Sequence, residues 1–301
     1  MSDIIHKIVV ITGPTAAGKS DLALKLAREQ NGEIVCADSM QIYRGLDIGT
    51  AKPTAAERTQ VPHHCCDIID PDANFTVTDY IAHADKAIAD ISARRKLPII
   101  CGGTGFYIKG LLWEQSYAGV GSDEGLRAEL TAEAENRGAE YLYNKLLAAD
   151  PIAASKIHAN DVKRVIRALE IYTLRGAAKS SLADAAPRAR YDFRLIGVDT
   201  ERGELYKRIN ERVDKMIAAG LEDEVRELTR YKDCQSMQAI GYKQFFDYFE
   251  GVRTLGDTVA LIKQKTRNYA KRQWTYLRAL DGIEWIDFST ADCRAALAMT
   301  I

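Results

Sequence analysis

A glycine-rich segment near the N-terminus carries residue types that bind phosphate. It reads GPTAAGKS, from Gly13 to Ser20, and matches G-x-x-x-x-G-K-[ST]. Its two glycines allow a tight backbone path along which successive N–H groups converge on anionic oxygens. Lys19 adds a mobile positive charge, and the Ser20 hydroxyl is a ligand suited to Mg²⁺. The segment predicts a diphosphate site, but it does not say which group is transferred.

Asp38 and Thr104 are the next candidates for chemistry, because each follows a short β-rich run. Asp38 lies in CADSMQIYRGLDIGTAKP, and Thr104 lies in GGTGFYIKGLL. In doubly wound sheets ligands bind beyond the carboxyl ends of the strands, so both side chains are expected beside the phosphate segment. There the Asp38 carboxylate can accept a proton from a nucleophile. Capping of a following turn explains an aspartate before a serine equally well, and both interpretations stay open.

Five β-rich runs are expected to form the sheet that positions these residues. Helical patterns separate the first three runs, which is typical of a parallel sheet with crossover helices. We predict an α/β fold, with a P-loop NTPase-like parallel-sheet core from residues 1–115 and 191–301. An all-helical domain is expected as an insertion at 116–190, because helical periodicity favours it over a long loop. The predicted strands are Lys7–Thr12, Glu33–Ala37, Leu97–Cys101, Phe193–Val198 and Ile283–Phe288, and the later helical stretches are Leu205–Tyr231 and Thr258–Leu280.

The composition is that of an ordinary globular protein. The chain has 301 residues, of which 28% are charged and 47% hydrophobic, and its formal net charge is −1. Nucleic-acid binding would therefore depend on local basic patches. No apolar run approaches the roughly 18 residues of a membrane span, and the N-terminus lacks signal-peptide features, so we expect a cytoplasmic protein without a membrane partner. The run His63–Cys66 lacks the second ligand pair that zinc needs.

Two predicted helices carry basic residues at regular spacing. The segment VKRVIR places Lys163, Arg164 and Arg167 on one side of a helix. Between Ile262 and Arg278 there are six basic residues and no acidic one. A solvated helix face is the commoner explanation, but the contrast with the acidic first half of the insertion and the interleaved aromatic residues favour RNA. A stripe about 22 Å long at three- or four-residue spacing consists of Lys263, Arg267, Lys271, Trp274 and Arg278.

Taken together, the motifs resemble those of the bacterial tRNA isopentenyltransferase (IPP transferase) family. They occur in the family's order and cover nearly the whole chain. Two small departures are Ser20, where threonine is common, and the pair Cys65–Cys66, which replaces an aliphatic pair. The motifs that carry the resemblance are GPTAAGKS, ADSMQIYRGLDIGTAKP, PHHCCDIIDP, GGTGFYIKGLL, NDVKRVIRALEIY, AIGYKQ and AKRQWTYLR.

The resemblance implies a specific reaction. A dimethylallyl group would pass from dimethylallyl pyrophosphate to the N6 amine of the adenosine 3′ of the anticodon, position 37, in tRNAs reading codons that begin with U. It implies Mg²⁺ as cofactor and the tRNA anticodon stem-loop as partner, and we expect a monomer. Asp38 matches the family's catalytic acid, which would take the amine's proton, and Thr104 matches a residue that contacts the reacting groups. Lys19 would neutralise the departing pyrophosphate.

The expected binding residues fall into a donor set and an RNA set. Arg208 and Arg212 join the donor set because they lie four residues apart on one helix, although this spacing also fits a solvated face. The donor set is Gly13, Pro14, Thr15, Ala16, Ala17, Gly18, Lys19, Ser20, Arg208 and Arg212. The RNA set is Asp38, Ser39, Met40, Gln41, Thr104, Arg127, Lys163, Arg164, Val165, Ile166, Arg167, Lys271 and Arg272.

Three other functions fit parts of the sequence. A small-molecule P-loop kinase would use Asp38 as the base for a substrate hydroxyl, and a related enzyme would prenylate free adenine nucleotides. Neither gives the helical insertion a task. A phosphate-binding RNA-interaction protein without catalysis would have no need for both Lys19 and Asp38.

Overall fold

The computed structural model describes residues 6–114, 121–176 and 188–287. The chain divides into two compact units, which we call the core unit and the helical unit. The core unit comprises Met1–Leu112 with Arg190–Ile301, and the helical unit comprises Trp113–Ala189. The sequence-based boundary at 115/116 lies outside the described residues, and the boundary at 190/191 lies one residue from that of the units. Within the described residues, no helix combines the length and the apolarity needed to cross a membrane.

A six-stranded parallel sheet forms the centre of the core unit, with strand order β3-β2-β4-β1-β5-β6. The predicted α/β fold class is confirmed. The sequence missed β3, which has only two residues and pairs at the sheet edge, with His63 opposite Ile34. Phe288, at the end of the last predicted strand, lies outside the described residues. The strands are β1 Lys7–Thr12, β2 Gly32–Cys36, β3 His63–His64, β4 Leu97–Gly102, β5 Asp192–Asp199 and β6 Ile283–Asp287.

The central strands are apolar along their length because both faces of the sheet are covered. Glu33 in β2 is a charged residue on these strands whose side chain is buried. It pairs with Arg94, accepts a hydrogen bond from Lys96 Nζ at 2.8 Å, and its Oε2 lies 2.8 Å from His64 Nε2. The hydrogen bonds from Arg94 hold the pKa of Glu33 far below its ordinary value, against the opposing effect of burial.

The core-unit helices begin and end where capping residues and glycines fix them. Thr254 caps α12 by accepting from the Asp257 backbone N–H at 3.1 Å, so this helix starts three residues before the predicted Thr258. The predicted helical stretch Leu205–Tyr231 contains two α-helices, because Gly220, at φ +96°, separates them. The helices are α1 Lys19–Glu29, α2 Ala55–Gln60, α3 Val77–Ala93, α4 Gly105–Leu112, α9 Arg202–Ala218, α10 Leu221–Glu227, α11 Lys243–Phe249 and α12 Leu255–Leu277.

The helical unit has a separate apolar core. Its described helices are α5 Glu124–Arg137, α6 Ala139–Ala149, α7 Pro151–Ala154 and α8 Val162–Arg175. Apolar side chains at three- and four-residue spacing pack between them, which explains why the sequence showed helical periodicity here. The fully or nearly fully buried members include Leu130, Leu142, Leu146, Val165, Ile166 and Leu169.

Candidate active site

A cavity of about 390 Å³ lies in the core unit at the carboxyl ends of β1, β2 and β4. The first turn of α1 supplies Lys19 and Ser20, and the residues after β2 supply Asp38. Residues far apart in sequence thus meet where the doubly wound topology predicts a ligand. The sequence-predicted residues that line the cavity are Thr15, Lys19, Ser20, Asp38, Ser39, Met40, Gln41, Arg212 and Arg272.

The glycine-rich segment forms a loop that runs from β1 into α1. Gly18 stands at the N-cap with φ +93°, a conformation that favours glycine, and Gly13 packs so closely that a Cβ would lie 2.6 Å from the Val198 carbonyl oxygen. Lys19 Nζ lies 3.5 Å from the Pro14 carbonyl oxygen. Burial lowers the pKa of Lys19 from its ordinary value. An ammonium shielded from water in this way interacts strongly with a diphosphate ligand, because little solvent lies between the opposite charges.

Asp38 combines both of the roles that the sequence left open. Its Oδ1 accepts hydrogen bonds from the backbone N–H of Met40 at 2.9 Å and of Gln41 at 3.4 Å, which is the capping role. Its Oδ2 receives no hydrogen bond from the described part of the chain. Because Asp38 also lines the cavity, one oxygen fixes the carboxylate while the other remains available for a proton or a cation.

Thr104 supports the segment that carries Asp38. Its backbone N–H donates to the Ala37 carbonyl at 3.1 Å, and its Oγ1 accepts from the Ser39 backbone N–H at 3.0 Å. Tyr269 of α12 hydrogen bonds to Thr104, and burial raises the pKa of Tyr269 to about 12. Thr104 is not among the residues that line the cavity. Its predicted contact with the reacting groups stays a prediction.

Gln273 of α12 is a site residue that the sequence reasoning missed. Its Oε1 accepts from the Thr15 backbone N–H at 2.9 Å, and its Nε2 donates to the Gly103 carbonyl at 2.9 Å. It therefore links the phosphate loop to the loop after β4. A Cβ on Gly103 would lie 2.3 Å from Gln273 Nε2, so a glycine is needed at this contact. The only sequence signal was the position of Gln273 within AKRQWTYLR.

Arg208 and Arg212 have different surroundings in the structure. Arg212 lines the cavity and donates to the Thr50 carbonyl at 3.4 Å. Burial lowers its pKa, and the Asp38 carboxylate opposes that shift. Arg208 does not line the cavity, and its Nε pairs with Glu204 at 2.8 Å. The cavity lining therefore supports Arg212 as a donor-binding residue, whereas Arg208 takes part in a helix-surface ion pair and its place in the donor set stays a prediction.

In the helical unit, α8 presents only part of the predicted RNA set at the surface. Lys163 and Arg164 are exposed. Val165 and Ile166 are buried in the unit's core. Their assignment to direct RNA contact is corrected, because an apolar side chain inside a packed core stabilises the helix and does not reach a ligand.

Arg127 and Arg167 are held by a buried carboxylate, Glu170. Arg127 Nε lies 2.9 Å from Glu170 Oε1, and Arg167 lies 2.5 Å from Oε2. Burial alone would raise the pKa of Glu170, but hydrogen bonds from Arg167, the Asp123 backbone and Arg127 together lower it. Both arginines neutralise this buried charge, so their expected contact with RNA competes with a structural role.

The basic stripe on α12 is mostly turned towards the rest of the core unit. Lys263 pairs with Asp214 at 2.6 Å, and Arg267 donates to Asn210 at 2.6 Å, both on α9. Trp274 Nε1 likewise donates to Asp199 Oδ1, at the end of β5, at 2.9 Å. These contacts within the core unit occupy part of the stripe, and its predicted contact with RNA stays a prediction.

Lys271 and Arg272 are the members of α12 that keep their predicted RNA assignment. Both are exposed, and Arg272 also lines the cavity. The Arg272 guanidinium lies 5.7 Å from the centre of the Tyr269 ring, a cation–π contact that orients it at the cavity rim.

The run His63–Cys66 serves packing and pairing. His63 Nδ1 lies 2.8 Å from the Val61 carbonyl oxygen, and the Cys66 and Cys36 sulfurs lie 2.8 Å apart. No group of three or more His, Cys, Asp or Glu side chains within the described ranges is arranged to hold a metal ion.

The first strand of the parallel sheet runs through a lysine-bearing glycine loop into a helix, and an acid stands at the end of a nearby strand. These features define a P-loop-like α/β fold, whose loop has the residue types of a phosphate site. A family model described as IPP transferase matches residues 41–280, and one described as isopentenyl transferase matches residues 6–63. The chain belongs to the IPP transferase family, as the sequence motifs predicted.

Curated relatives and solved structures agree with this assignment. The chain is 48% identical over 287 residues to a tRNA dimethylallyltransferase of Geobacillus thermodenitrificans, covering 94% of this chain and 91% of the relative. It is 45% identical to one of Bacillus subtilis, with 96% and 93% covered. A Bacillus halodurans tRNA isopentenylpyrophosphate transferase structure has TM-score 0.73 at 42% identity, covering 98% and 94%. A eukaryotic dimethylallyltransferase acting on tRNA has TM-score 0.85 at 29% identity, covering 98% and 78%.

Proposed function

We propose that this enzyme transfers a dimethylallyl group from dimethylallyl pyrophosphate to the N6 amine of adenosine 37, beside the anticodon of tRNAs that read codons beginning with U. Pyrophosphate is the second product. The observation that carries the proposal is a single cavity lined by Asp38, Lys19, Ser20 and Arg212. These side chains supply a proton acceptor and two cations in one enclosed space, which the reaction requires.

The donor half of the reaction breaks a C–O bond and leaves pyrophosphate with growing negative charge. The loop N–H groups and Lys19 can hold the pyrophosphate from one side, and Arg212 from another. Because burial lowers the pKa of both cationic side chains, each interacts strongly with an anion that displaces water from the cavity. The dimethylallyl carbon gains positive character as the C–O bond lengthens.

The acceptor half forms an N–C bond and releases a proton. The adenine amine is a weak nucleophile, because its lone pair is delocalised into the ring. Asp38 takes the proton through Oδ2 as the N–C bond forms, while Oδ1 keeps its hydrogen bonds to the Met40 and Gln41 backbone. Atoms and charges balance, because the proton leaves on Asp38 and the electron pair of the C–O bond leaves on pyrophosphate.

Residues at the cavity fit a Mg²⁺ ion. The Ser20 hydroxyl is a hard oxygen ligand that lines the cavity, and Mg²⁺ prefers oxygen donors with several retained waters, through one of which Asp38 would contact the ion while its Oδ2 stays free for the proton. When bound, the ion would neutralise part of the pyrophosphate charge. The remaining ligands would come from the donor and from water.

The adenine must leave the stacked anticodon loop before its amine can reach the donor. Ser39, Met40 and Gln41 line the cavity beside Asp38, and these residues would contact the flipped base and its neighbours. Exposed Lys163 and Arg164 on the helical unit, and Lys271 and Arg272 on the core unit, would neutralise RNA phosphates. We further propose that the protein acts as a monomer, which light scattering of the purified protein tests.

The decisive experiment incubates the purified protein with Mg²⁺, dimethylallyl pyrophosphate and an anticodon stem-loop, and then weighs the RNA. An added dimethylallyl mass on adenosine 37, absent with the Asp38→Asn variant, supports the proposal. Parallel reactions contain ATP without prenyl donor, or free AMP in place of RNA. Phosphate transfer from ATP would instead indicate a kinase, and prenylation of AMP alone would indicate a nucleotide prenyltransferase. Either result without RNA prenylation overturns the proposal.

A further inference from the structure

Glu224 of α10 makes an unusual set of contacts with one segment of backbone. Its Oε2 accepts from the N–H of Asp47 at 3.1 Å and of Ile48 at 2.7 Å, and its Oε1 accepts from the N–H of Gly49 at 3.1 Å. The Tyr242 hydroxyl donates to Oε1 at 2.5 Å. One carboxylate therefore gathers three consecutive backbone N–H groups and a phenol, an arrangement that backbone nests otherwise offer to bound anions.

The segment held by Glu224 is packed as well as hydrogen-bonded. A Cβ on Gly49 would lie 2.4 Å from the Tyr242 ring, so the backbone rests directly on that ring. Tyr242 is fully buried, and burial together with the Glu224 charge raises its pKa well above the ordinary value, which keeps its hydroxyl a donor. Because charge-assisted hydrogen bonds are about twice as strong as neutral ones, three of them fix the segment firmly, and the fourth, from Tyr242, fixes Glu224 itself.

The fixed segment continues into a wall of the cavity. Residues 49–53 line it, and Glu224 itself does not. The carbonyls of Thr50 and Ala51 accept from Gln41 Nε2 at 3.1 and 3.2 Å, and the Thr50 carbonyl also accepts from Arg212 at 3.4 Å. The position of this wall therefore sets where the Gln41 amide and the Arg212 guanidinium stand in the cavity.

We propose that Glu224 is a positioning residue for prenyl transfer. It holds residues 47–49 so that the following carbonyls aim Arg212 at the donor pyrophosphate and Gln41 at the acceptor base. This inference rests on the proposed function for its kinetic consequences, whereas its structural part, the fixing of three amides by one carboxylate, stands without it.

The test compares Glu224→Gln with Glu222→Gln, a matched control on the same helix. Glu222 is also partly exposed, and it forms an ion pair with Arg226 on the same helix at 2.7 Å. In Glu224→Gln the amide NH₂ would face backbone N–H groups and repel them. We expect KM for dimethylallyl pyrophosphate to rise and kcat/KM to fall about 10- to 100-fold, since small misplacements of binding groups have effects of this size. Glu222→Gln should stay within about twofold of wild type.

Amide hydrogen exchange of the substrate-free protein provides a readout that does not depend on activity. Exchange at residues 47–49 should be at least about tenfold faster in Glu224→Gln than in wild type or Glu222→Gln. A merely structural role would lower kcat through a smaller active fraction and would leave KM unchanged. That pattern, or unchanged exchange at residues 47–49, overturns the inference.

The outcomes separate this inference from the proposed function. If wild type transfers no prenyl group, the proposed function fails, and the exchange data still decide whether Glu224 fixes the segment. Should Glu224→Gln not fold, Tyr242→Phe removes one of the four hydrogen bonds with little change of shape. It should raise KM for the donor about two- to fivefold and speed exchange at Gly49, and the absence of both effects overturns the inference.

Discussion

Replacing Gln273 with methionine tests how α12 holds the cavity together. Methionine has nearly the volume of glutamine, so the change leaves no cavity and removes the hydrogen bonds of the Gln273 amide, chiefly the two of 2.9 Å to Thr15 and Gly103. The Gly103 carbonyl is buried and would lose its donor, which costs about 1–3 kcal/mol. The Thr15 N–H lies at the cavity and can be hydrated, so its loss costs only about 0.5–1.5 kcal/mol.

These terms give a total destabilisation of about 1.5–4.5 kcal/mol, a large fraction of the free energy of unfolding of a typical domain. For a unit of roughly 200 residues, the melting temperature should fall by about 3–18 °C. The assay is thermal unfolding of the purified protein, repeated with urea, with Gln264→Met as control. Gln264 has the same residue type on the same helix and is exposed.

Pyrophosphate affinity distinguishes the loss of the hydrogen bonds between these two loops from an ordinary loss of packing. Because Gln273 ties the phosphate loop to the loop after β4, its loss should also weaken binding of pyrophosphate, measured by calorimetry at a temperature where the variant is folded. Melting within about 1 °C of both wild type and Gln264→Met would refute the reasoning, because a buried carbonyl without a donor cannot be free of cost.

Three further changes have defined outcomes. Asp38→Asn should lower the single-turnover rate of prenyl transfer about 10²- to 10⁴-fold and leave donor binding nearly unchanged, and a rate near wild type would exclude Asp38 as the base. The pKa of Glu33 is lowered in the folded state, so the ionised carboxylate stabilises the fold above pH 4.5, and this contribution is lost as pH falls. The difference in melting temperature between wild type and Glu33→Gln should therefore shrink from pH 6 to pH 3. Alanine at Lys163 and Arg164 should weaken RNA binding and reduce the magnitude of its salt slope by about one per residue, whereas Val165→Ala should lower stability and keep the slope.

The fold was largely readable from the sequence, because central strands of a covered parallel sheet are short apolar runs between helical patterns. Strand β3 is the exception, and it shows that this signal requires a strand of several residues. β3 has two residues, His63 and His64, and its pairing to Ile34 comes from the path of the chain after α2. An edge strand of this length carries no periodicity, so only tertiary structure reveals it.

The candidate site likewise contains residues that the sequence predicted and residues that it did not. Lys19 and Asp38 were expected to meet because each stands at a strand end or helix start, where topology brings chain segments together. Gln273 and Glu224 were not found, because their partners lie 258 and about 175 residues away in sequence and are backbone groups. Backbone N–H and C=O groups have no residue type, so no sequence pattern marks the side chain that satisfies them.

The sequence predicted the surroundings of the basic side chains least well, because a count of basic residues does not show which way each side chain points. The residues Lys263 and Arg267 have the spacing of a binding surface, yet both reach partners on α9. On α8, Lys163 and Arg164 stay exposed, whereas Arg167 one turn later turns to Glu170. Arg167 is drawn to Glu170 because an unpaired buried carboxylate is far more costly than an unpaired surface cation. The neighbouring acceptors, whether a buried acid such as Glu170 or surface groups such as Asp214 and Asn210, therefore limit which basic side chains remain available for RNA.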